Sequence, residues 1–284
     1  MSKTIFEAYN YAKKQLEGAG IEDFGFEARQ IIRHITGLEN AQILVKYAQP
    51  LTPFQENNLT AILHQRQARY PLQYIFCEWD FFGRSFEVGP GVLIPRQDTE
   101  TAVEKALELI ENKPSPQILD LCAGSGCIGL SLAAERPDSA VTLVEKYPEA
   151  LRYLEKNRKR LKTENAEAVL GDIFECSAAD REYDLIISNP PYIPADEMTD
   201  VSPEVHYEPE TALYGGEDGL MFYRAIAANY KGSLKNGGAI CFEAGAGEAQ
   251  SIAGLLKDTG FCNIGSKSDL NGIERVVFGT VKQL

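Results

Sequence analysis

The segment from 117 to 136 most constrains the fold, because it runs from an apolar strand through a glycine-rich turn into a helix. We predict a strand at Gln117–Leu121 and a helix at Cys127–Arg136, with Gly124 and Gly126 in the turn between them. Glycine lets the backbone turn tightly and approach a ligand closely. A strand that feeds a helix in this way typically begins a βαβ unit of a parallel sheet.

The alternation of strands and helices continues to the end of the chain. Further strands are predicted at Ala140–Glu145, Ala166–Leu170, Asp184–Ser188, Gly238–Glu243, Phe261–Ser266 and Arg275–Thr280. Helices are predicted at Asp98–Ile110, Pro148–Leu161, Gly219–Leu234 and Gly247–Thr259. Seven strands separated by helices predict an α/β domain with a mostly parallel sheet.

The N-terminal third has a different character. Apolar residues recur at helical spacing from Ile5, and Thr52 followed by Pro53 is typical of the start of a helix. Aromatic residues then dominate Tyr74–Phe76 and Trp79–Val88, which favours a short β-hairpin. We therefore expect a helical domain over 1–73, a hairpin linker over 74–94 and the α/β domain over 95–284.

Charge is unevenly distributed. Lys and Arg number 28 against 41 Asp and Glu, a net charge of −13, yet residues 1–85 hold nine of each sign. Residues 182–223 hold ten carboxylates and no Lys or Arg. An acidic chain repels phosphates, so nucleic acid is a poor default partner.

Other classes are disfavoured by what the sequence lacks. It has no CxxC pair among its six cysteines, and His34, His64 and His206 have no metal-ligand spacing, so we predict no metal. It also has no apolar run of the length that a membrane span needs and no apolar leader. We expect a cytoplasmic protein with reduced cysteines.

The glycine-rich turn is a candidate nucleoside-cofactor site. Gly124, Gly126 and Gly129 fit GxGxxG, and Glu145 ends the next strand, where a carboxylate can accept hydrogen bonds from ribose hydroxyls. NAD(H) and S-adenosylmethionine both carry an adenosine ribose, so these features do not separate them. Asp172, after the third strand of the domain, could cap a helix or accept from an adenine amino group.

The tetrapeptide Asn189-Pro190-Pro191-Tyr192 follows the fourth strand, at the edge of the sheet where ligands of α/β proteins bind. Two prolines fix the backbone and remove two N–H donors, which leaves carbonyl acceptors beside the Asn side chain. A planar NH2 group could donate to the Asn189 oxygen and to a proline carbonyl, with the Tyr192 ring as an apolar wall. Such acceptors raise electron density on an amide or arylamine nitrogen that attacks a methylsulfonium.

Three other functions fit the sequence less well. A dehydrogenase does not explain the tetrapeptide. An adenine-N6 DNA methyltransferase does explain it, but should carry a basic target-recognition region, which the acidic segment 182–223 does not supply. A non-catalytic binding module on this fold should have lost the Asn or the glycine-rich loop, and both are present.

The chain resembles the HemK/PrmC family of peptide chain release factor glutamine methyltransferases over nearly its whole length. The segments that carry the resemblance are Pro71–Ile75, Phe81–Gly83, Gly91–Glu100, Cys122–Gly126, Asn189–Ile193, Glu208–Leu213 and Asn271–Val276. The resemblance implies a Rossmann-like, class I S-adenosylmethionine-dependent methyltransferase domain. It implies methylation of the side-chain amide nitrogen (N5) of the glutamine in the Gly-Gly-Gln motif of class I release factors.

The resemblance also implies roles for individual residues. Cys122, Ala123, Gly124, Ser125, Gly126, Glu145, Asp172, Ile173 and Asn189 would bind the cofactor. Asn189, Pro190, Pro191 and Tyr192 would bind the target glutamine, with Asn189, Pro190 and Tyr192 catalytic. Cys122 stands where the family usually has Gly, and Ile173 stands where Trp is common.

The expected partner is a release factor, without direct nucleic-acid contact, and we expect a monomer. The helical domain would help dock this substrate. A release-factor loop that works against ribosomal RNA should be basic, so an acidic rim at the acceptor pocket would attract it.

Overall fold

The computed structural model describes residues 2–282, so Met1 and residues 283–284 of the predicted terminal domains lie outside the described residues. The chain forms two compact units. The first comprises the chain up to Cys77 together with Pro203–Tyr207, and the second comprises Glu78–Ser202 together with the chain from Glu208 onward. This division differs from the boundaries predicted after 73 and 94, because the hairpin belongs to the second unit.

The first unit is a helical bundle. Its helices are α1 (Ile5–Gly18), α2 (Phe24–Thr36), α3 (Asn40–Val45), α4 (Pro53–Gln67) and α5 (Leu72–Phe76). The predicted start of α4 is confirmed, since the Thr52 side chain accepts from the Gln55 amide and Pro53 occupies the first turn. Apolar side chains of α1, α2 and α4 pack into one core.

A returning segment completes this unit. Arg66 is 4% exposed and binds the carboxylates of Glu27 and Glu204, at 2.7 and 2.9 Å. The Tyr207 hydroxyl donates to the Ala68 carbonyl at 2.9 Å. A buried guanidinium requires such pairing, so Pro203–Tyr207 is an integral part of the bundle.

The aromatic segment was predicted only in part. Tyr74–Phe76 is helical in α5, so its assignment to a hairpin is wrong; the Tyr74 and Ile75 amides donate to the Pro71 carbonyl instead. The hairpin consists of β1 (Glu78–Phe81) and β2 (Arg84–Glu87). Its two-residue turn, Phe82-Gly83, has positive φ at both positions, as the twist of a tight hairpin requires.

The second unit is a seven-stranded sheet with helices on both faces. Its strands are β3 (Gln117–Leu121), β4 (Ala140–Glu145), β5 (Ala166–Leu170), β6 (Tyr183–Ser188), β7 (Leu234–Glu243), β8 (Cys262–Ser268) and β9 (Glu274–Thr280). Their order is β5-β4-β3-β6-β7-β9-β8, and β9 alone runs against its neighbours. The predicted mostly parallel sheet is confirmed.

The helices of this unit are α6 (Glu100–Leu109), α7 (Cys127–Glu135), α8 (Pro148–Leu161), α9 (Met221–Tyr230) and α10 (Ala249–Asp258). Apolar residues of α6, α7 and α8 pack on one face of the sheet, and those of α9 and α10 pack on the other. The strand order reverses between β3 and β6, and ligands of open α/β sheets bind in the crevice at such a point.

Gly129 allows α7 to approach the sheet closely. A Cβ at this position would lie 2.6 Å from Leu143 Cδ2 and 2.8 Å from Asp120 Oδ2. The Gly129 amide also donates to Asp120 Oδ2 at 2.8 Å. The third glycine of the motif is therefore required by packing.

We predict that Gly129→Ala lowers the free energy of unfolding by about 1–3 kcal/mol, because the added methyl group overpacks this contact. Gly254→Ala in α10 is the matched control, since a Cβ there meets nothing within 4 Å. Helix propensity should make the control neutral or up to about 1 kcal/mol stabilising. Urea unfolding of both variants tests the prediction, and equal stabilities would contradict it.

Candidate active site

The glycine-rich loop connects β3 to α7 at the carboxyl edge of the sheet. Cys122, Gly124 and Gly126 all have positive φ, of 59°, 56° and 80°. Gly124 is open on its outer side, where a Cβ would find only Val92 at 3.9 Å. This loop exposes backbone toward a cavity, as close approach of a ligand requires. Cys122 adopts a backbone conformation that favours Gly.

Glu145 holds the loop against the next strand. Its carboxylate accepts from the Gly124 amide and from the Tyr147 amide, both at 2.8 Å. Glu145 is 6% exposed, and burial raises its pKa although these backbone hydrogen bonds oppose the rise. Its position at the end of β4 leaves the carboxylate in the cavity wall, within reach of a ligand.

Asp172 has two protein partners. Its carboxylate accepts from the Phe174 amide at 2.9 Å, which caps a short 3-10 helix, and pairs with Lys146 at 2.7 Å. The pKa of Asp172 is lowered by Lys146 and the amide, against the effect of partial burial. The capping role considered from the sequence is thus present, and the side chain also lines the cavity with Ile173.

The acceptor tetrapeptide follows β6, the strand that pairs with β3, so it begins beside this loop. Asn189 and Pro191 line the same cavity as Gly124, and the Asn189 carboxamide forms no hydrogen bond with a residue in the described range 2–282. Ser188 fixes the end of β6, since its hydroxyl donates to the Leu121 carbonyl at 2.6 Å. Asn189 is therefore held by its backbone while its amide remains available.

Pro190 and Tyr192 take other positions. Pro190 is buried, and neither residue is part of the cavity wall. A Cβ on Gly245 would lie 3.0 Å from Tyr192 Cδ2, and one on Gly215 would lie 2.6 Å from Tyr192 Cα. Two glycines thus make room for the tyrosine, whose pKa is raised by burial.

The cavity has an empty volume of about 940 Å3 with its open mouth included. This is large enough for a nucleoside cofactor. Of the predicted cofactor residues, Gly126 alone is absent from the wall. Residues without a predicted role also line it, among them Arg96, Thr99, Pro209, Thr211, Ala212 and Phe222. Most of them belong to the Gly91–Glu100 and Glu208–Leu213 segments. The family resemblance of these two segments was the sequence signal that could have identified them.

The Glu208 side chain connects the two segments of the cavity wall, Gly91–Glu100 and Glu208–Leu213. Its side chain is 1% exposed, accepts from the Ile94 amide at 2.9 Å and binds the Arg96 guanidinium. The Glu208 carboxylate therefore holds the segment before α6 next to residues Pro209–Ala212, and both line the cavity. The sequence could not show this contact, because its partners are more than 100 positions apart.

The acidic stretch is partly neutralised by distant bases. Asp184 pairs with Lys235, Asp218 with Arg224, and Glu204 and Glu208 are paired as described. Within the acidic stretch 182–223, six carboxylates are exposed and have no ion-pair partner among residues 2–282: Glu182, Asp196, Glu197, Asp200, Glu210 and Glu217. All except Glu182 follow the acceptor motif. The Ala195 amide bonds the Gly216 carbonyl at 3.1 Å, which brings Asp196 near Glu217.

Two kinds of feature are absent from the described part of the chain. No helix among those residues is long and apolar enough to cross a membrane. The same residues contain no group of three or more His, Cys, Asp or Glu side chains arranged to hold a metal ion.

The sheet order, the loop after β3, the acid that ends β4 and the motif after β6 together define a class: the S-adenosylmethionine-dependent methyltransferases. A family model described as methyltransferase small domain matches residues 94–211, and one described as PrmC N-terminal domain matches 7–76. A 16S rRNA methyltransferase from T. thermophilus, solved with AdoMet and guanosine, shares the fold at TM-score 0.53 and 21% identity. That match covers 72% of this chain and 50% of the other.

Curated relatives narrow the class. A release factor glutamine methyltransferase of Geobacter sulfurreducens is 38% identical over 98% of this chain and 97% of its own length. Another, from Cereibacter sphaeroides, is 37% identical over 95% and 96%. The chain belongs to the family of release factor glutamine methyltransferases, and the resemblance stated from its motifs is confirmed.

We predict that Glu145→Ala weakens binding of S-adenosylhomocysteine by roughly 10-fold or more, since charge-assisted hydrogen bonds contribute about 1.5–3 kcal/mol. The variant removes the acceptor of the Gly124 amide hydrogen bond as well as the predicted ribose acceptor. Glu164→Ala is the control, because Glu164 is exposed and its side chain has no partner within residues 2–282. Titration calorimetry measures both, and unchanged affinity in Glu145→Ala would contradict the assignment.

Proposed function

We propose that the protein methylates N5 of the glutamine in the Gly-Gly-Gln motif of class I peptide chain release factors, using S-adenosyl-L-methionine. Its family membership makes it a methyltransferase of release factor glutamine. The observation that carries the finer proposal is the Asn189 carboxamide, which lines the same cavity as the glycine-rich loop without a protein hydrogen bond in the described range. That group matches a primary amide as substrate.

The protein's residues would act by holding and orienting. The Asn189 side-chain oxygen and the Pro190 carbonyl accept from the two N–H bonds of the target amide, and Pro191 offers no competing N–H. Both acceptors stabilise the positive charge that develops on nitrogen. No general base is required before attack, because the proton can leave afterwards. Tyr192 would provide an apolar wall after a change from its present packing.

The cofactor fits the residues present. The left-handed loop, with open space outside Gly124, and the acidic end of β4 suit a nucleoside. We propose that Cys122–Gly126, Glu145, Asp172, Ile173 and Asn189 hold it. When bound, S-adenosylmethionine supplies an electrophilic methyl group. Positioning the amide nitrogen in line with that group is then the main contribution of the site.

We propose further that the enzyme acts in the cytoplasm as a monomer and makes no direct contact with nucleic acid. The helical domain, predicted as 1–73, would dock the protein substrate. Five exposed carboxylates after the acceptor motif support attraction of a basic loop and repulsion of DNA.

The assignment is tested by incubating the enzyme with methyl-labelled cofactor and either a release factor or adenine-containing DNA. Mass spectrometry should locate one methyl group on the glutamine of the Gly-Gly-Gln motif. Label on DNA and none on that glutamine would reject the proposal.

We expect Asn189→Ala to lower kcat roughly 100-fold or more, as loss of a preorganised polar group does elsewhere, while S-adenosylhomocysteine affinity changes little. Asn112→Ala is the control, because Asn112 is exposed in the same unit and lies in a turn. Full turnover by Asn189→Ala would show that the acceptor mechanism is wrong.

The five exposed carboxylates that follow the acceptor motif predict salt-dependent binding of the release factor. Glu197→Gln combined with Glu217→Gln should weaken binding roughly 2- to 10-fold at low salt, with less effect at high salt. Glu164→Gln combined with Glu182→Gln is the matched control, since both residues are exposed and lie near the amino ends of β5 and β6. Equal effects of the two double variants on release-factor binding would show that the carboxylates after the acceptor motif do not attract the substrate.

A further inference from the structure

Two buried polar atoms beside the acceptor motif lack partners. Glu243 ends β7 and is 2% exposed, and its Oε2 has no hydrogen-bond partner within residues 2–282. The Oγ1 of Thr99, which is also 2% exposed, likewise has no hydrogen-bond partner among these residues. Thr99 lines the cavity. Burying an unpaired carboxyl group opposes folding, so its presence calls for an explanation.

The strand register places Glu243 beside Asn189. Ser188 of β6 pairs with Phe242 of β7 in parallel, and Ile187 pairs with Cys241. The side chains of Ile187 and Cys241 pack in the same core, on the face that carries α6 and α7. The paired register ends at Ser188 and Phe242; continued by one residue, the same alternation puts Asn189 and Glu243 next to each other on that face, with neighbouring backbones about 5 Å apart.

The cationic side chains near Glu243 form ion pairs with other carboxylates. Arg275 binds Asp98 at 3.1 Å and Asp269 at 3.2 Å, and Arg96 binds Glu208. Both act on Glu243 only through their charge. Glu243 is thus not one half of a buried salt bridge, and its side chain remains available to a neighbour.

We propose that Glu243 is a positioning residue of the acceptor site: with the cofactor bound, the side chains of Glu243 and Asn189 turn so that the unpaired Glu243 oxygen accepts a hydrogen bond from the Asn189 amino group, which directs the Asn189 oxygen toward the target amide. This inference rests on the proposed function and deepens it. A carboxamide has two nearly isosteric orientations, and the reverse one would present donors to the donors of the substrate. An ionised carboxylate only accepts, so it selects the productive orientation.

The protonation state of Glu243 sets this selection. Burial raises its pKa to about 7, although the charges of Arg275 and Arg96 oppose the rise. The groups that face it from the surrounding elements are Arg96, Asp98, Thr99, Cys127, Tyr192 and Arg275. A protonated Glu243 can donate to the Asn189 oxygen and hold the wrong orientation. Turnover should therefore rise with pH through about 7.

A kinetic double-variant experiment separates positioning from a role in stability. Glu243→Gln should lower kcat roughly 10- to 100-fold, remove the pH dependence near 7 and leave S-adenosylhomocysteine affinity unchanged. Asn189→Asp alone places two carboxyl groups side by side. Glu243→Gln added to Asn189→Asp supplies a donor to the new carboxylate, so the double variant should turn over faster than Asn189→Asp. A double variant as slow as the additive expectation, or slower, would overturn the proposal.

A second measurement needs neither turnover nor a folded variant at Glu243. In the full-length wild type with S-adenosylhomocysteine, the side-chain NH2 signals of Asn189 are followed by NMR against pH. They are assigned from their loss in Asn189→Asp. These signals should titrate near 7, while those of Asn112 stay constant. Asn189 signals that do not titrate would overturn the proposal.

The two experiments distinguish the possible failures. If the wild type leaves release factors unmethylated but its Asn189 signals titrate, the proposed function fails while the Glu243–Asn189 interaction stands. If release factors are methylated and neither the titration nor the rescue occurs, the proposed function stands and Glu243 has no positioning role.

Discussion

The parallel register of β3, β4, β6 and β7 is the constraint on which the site depends, because it brings four strand ends to one edge. The glycine-rich loop follows β3, Glu145 ends β4, Asn189 follows β6 and Glu243 ends β7. No single segment of sequence contains these parts. Hydrophobic burial of the sheet between two helical layers fixes the register, and the register fixes the spacing of the polar groups.

The sequence predicted the sheet well because periodicity and turn chemistry are local. β3, β4 and β5 begin and end at the predicted residues, and α8 does as well. The prediction failed at Tyr74–Phe76, where β-forming aromatic residues lie in a helix that packs on the bundle core. It also placed the start of β7 four residues too late, since polar Lys235 and Asn236 lie within that strand.

Parts of the candidate site that lie in a short motif could be predicted from the sequence. Contacts between residues that are distant in sequence could not. The loop, Glu145 and Asn189 were predicted from local motifs and line the same cavity. The anchoring of Ile94 and Arg96 by Glu208, and the register that sets Glu243 beside Asn189, required the fold. The acidic stretch shows the same limit, since its Asp184 and Glu204 are neutralised by bases outside it.

The five residues Pro203–Tyr207 have a consequence for dissecting this enzyme. They belong to the helical unit although the chain on both sides of them belongs to the catalytic unit. A chain that starts at Glu78 would retain Glu204 and Tyr207 but lose Arg66 and Ala68, to which they bind. The helical unit is therefore not a removable module. A chimera between two relatives would have to exchange both pieces of sequence together to preserve the charge pairing.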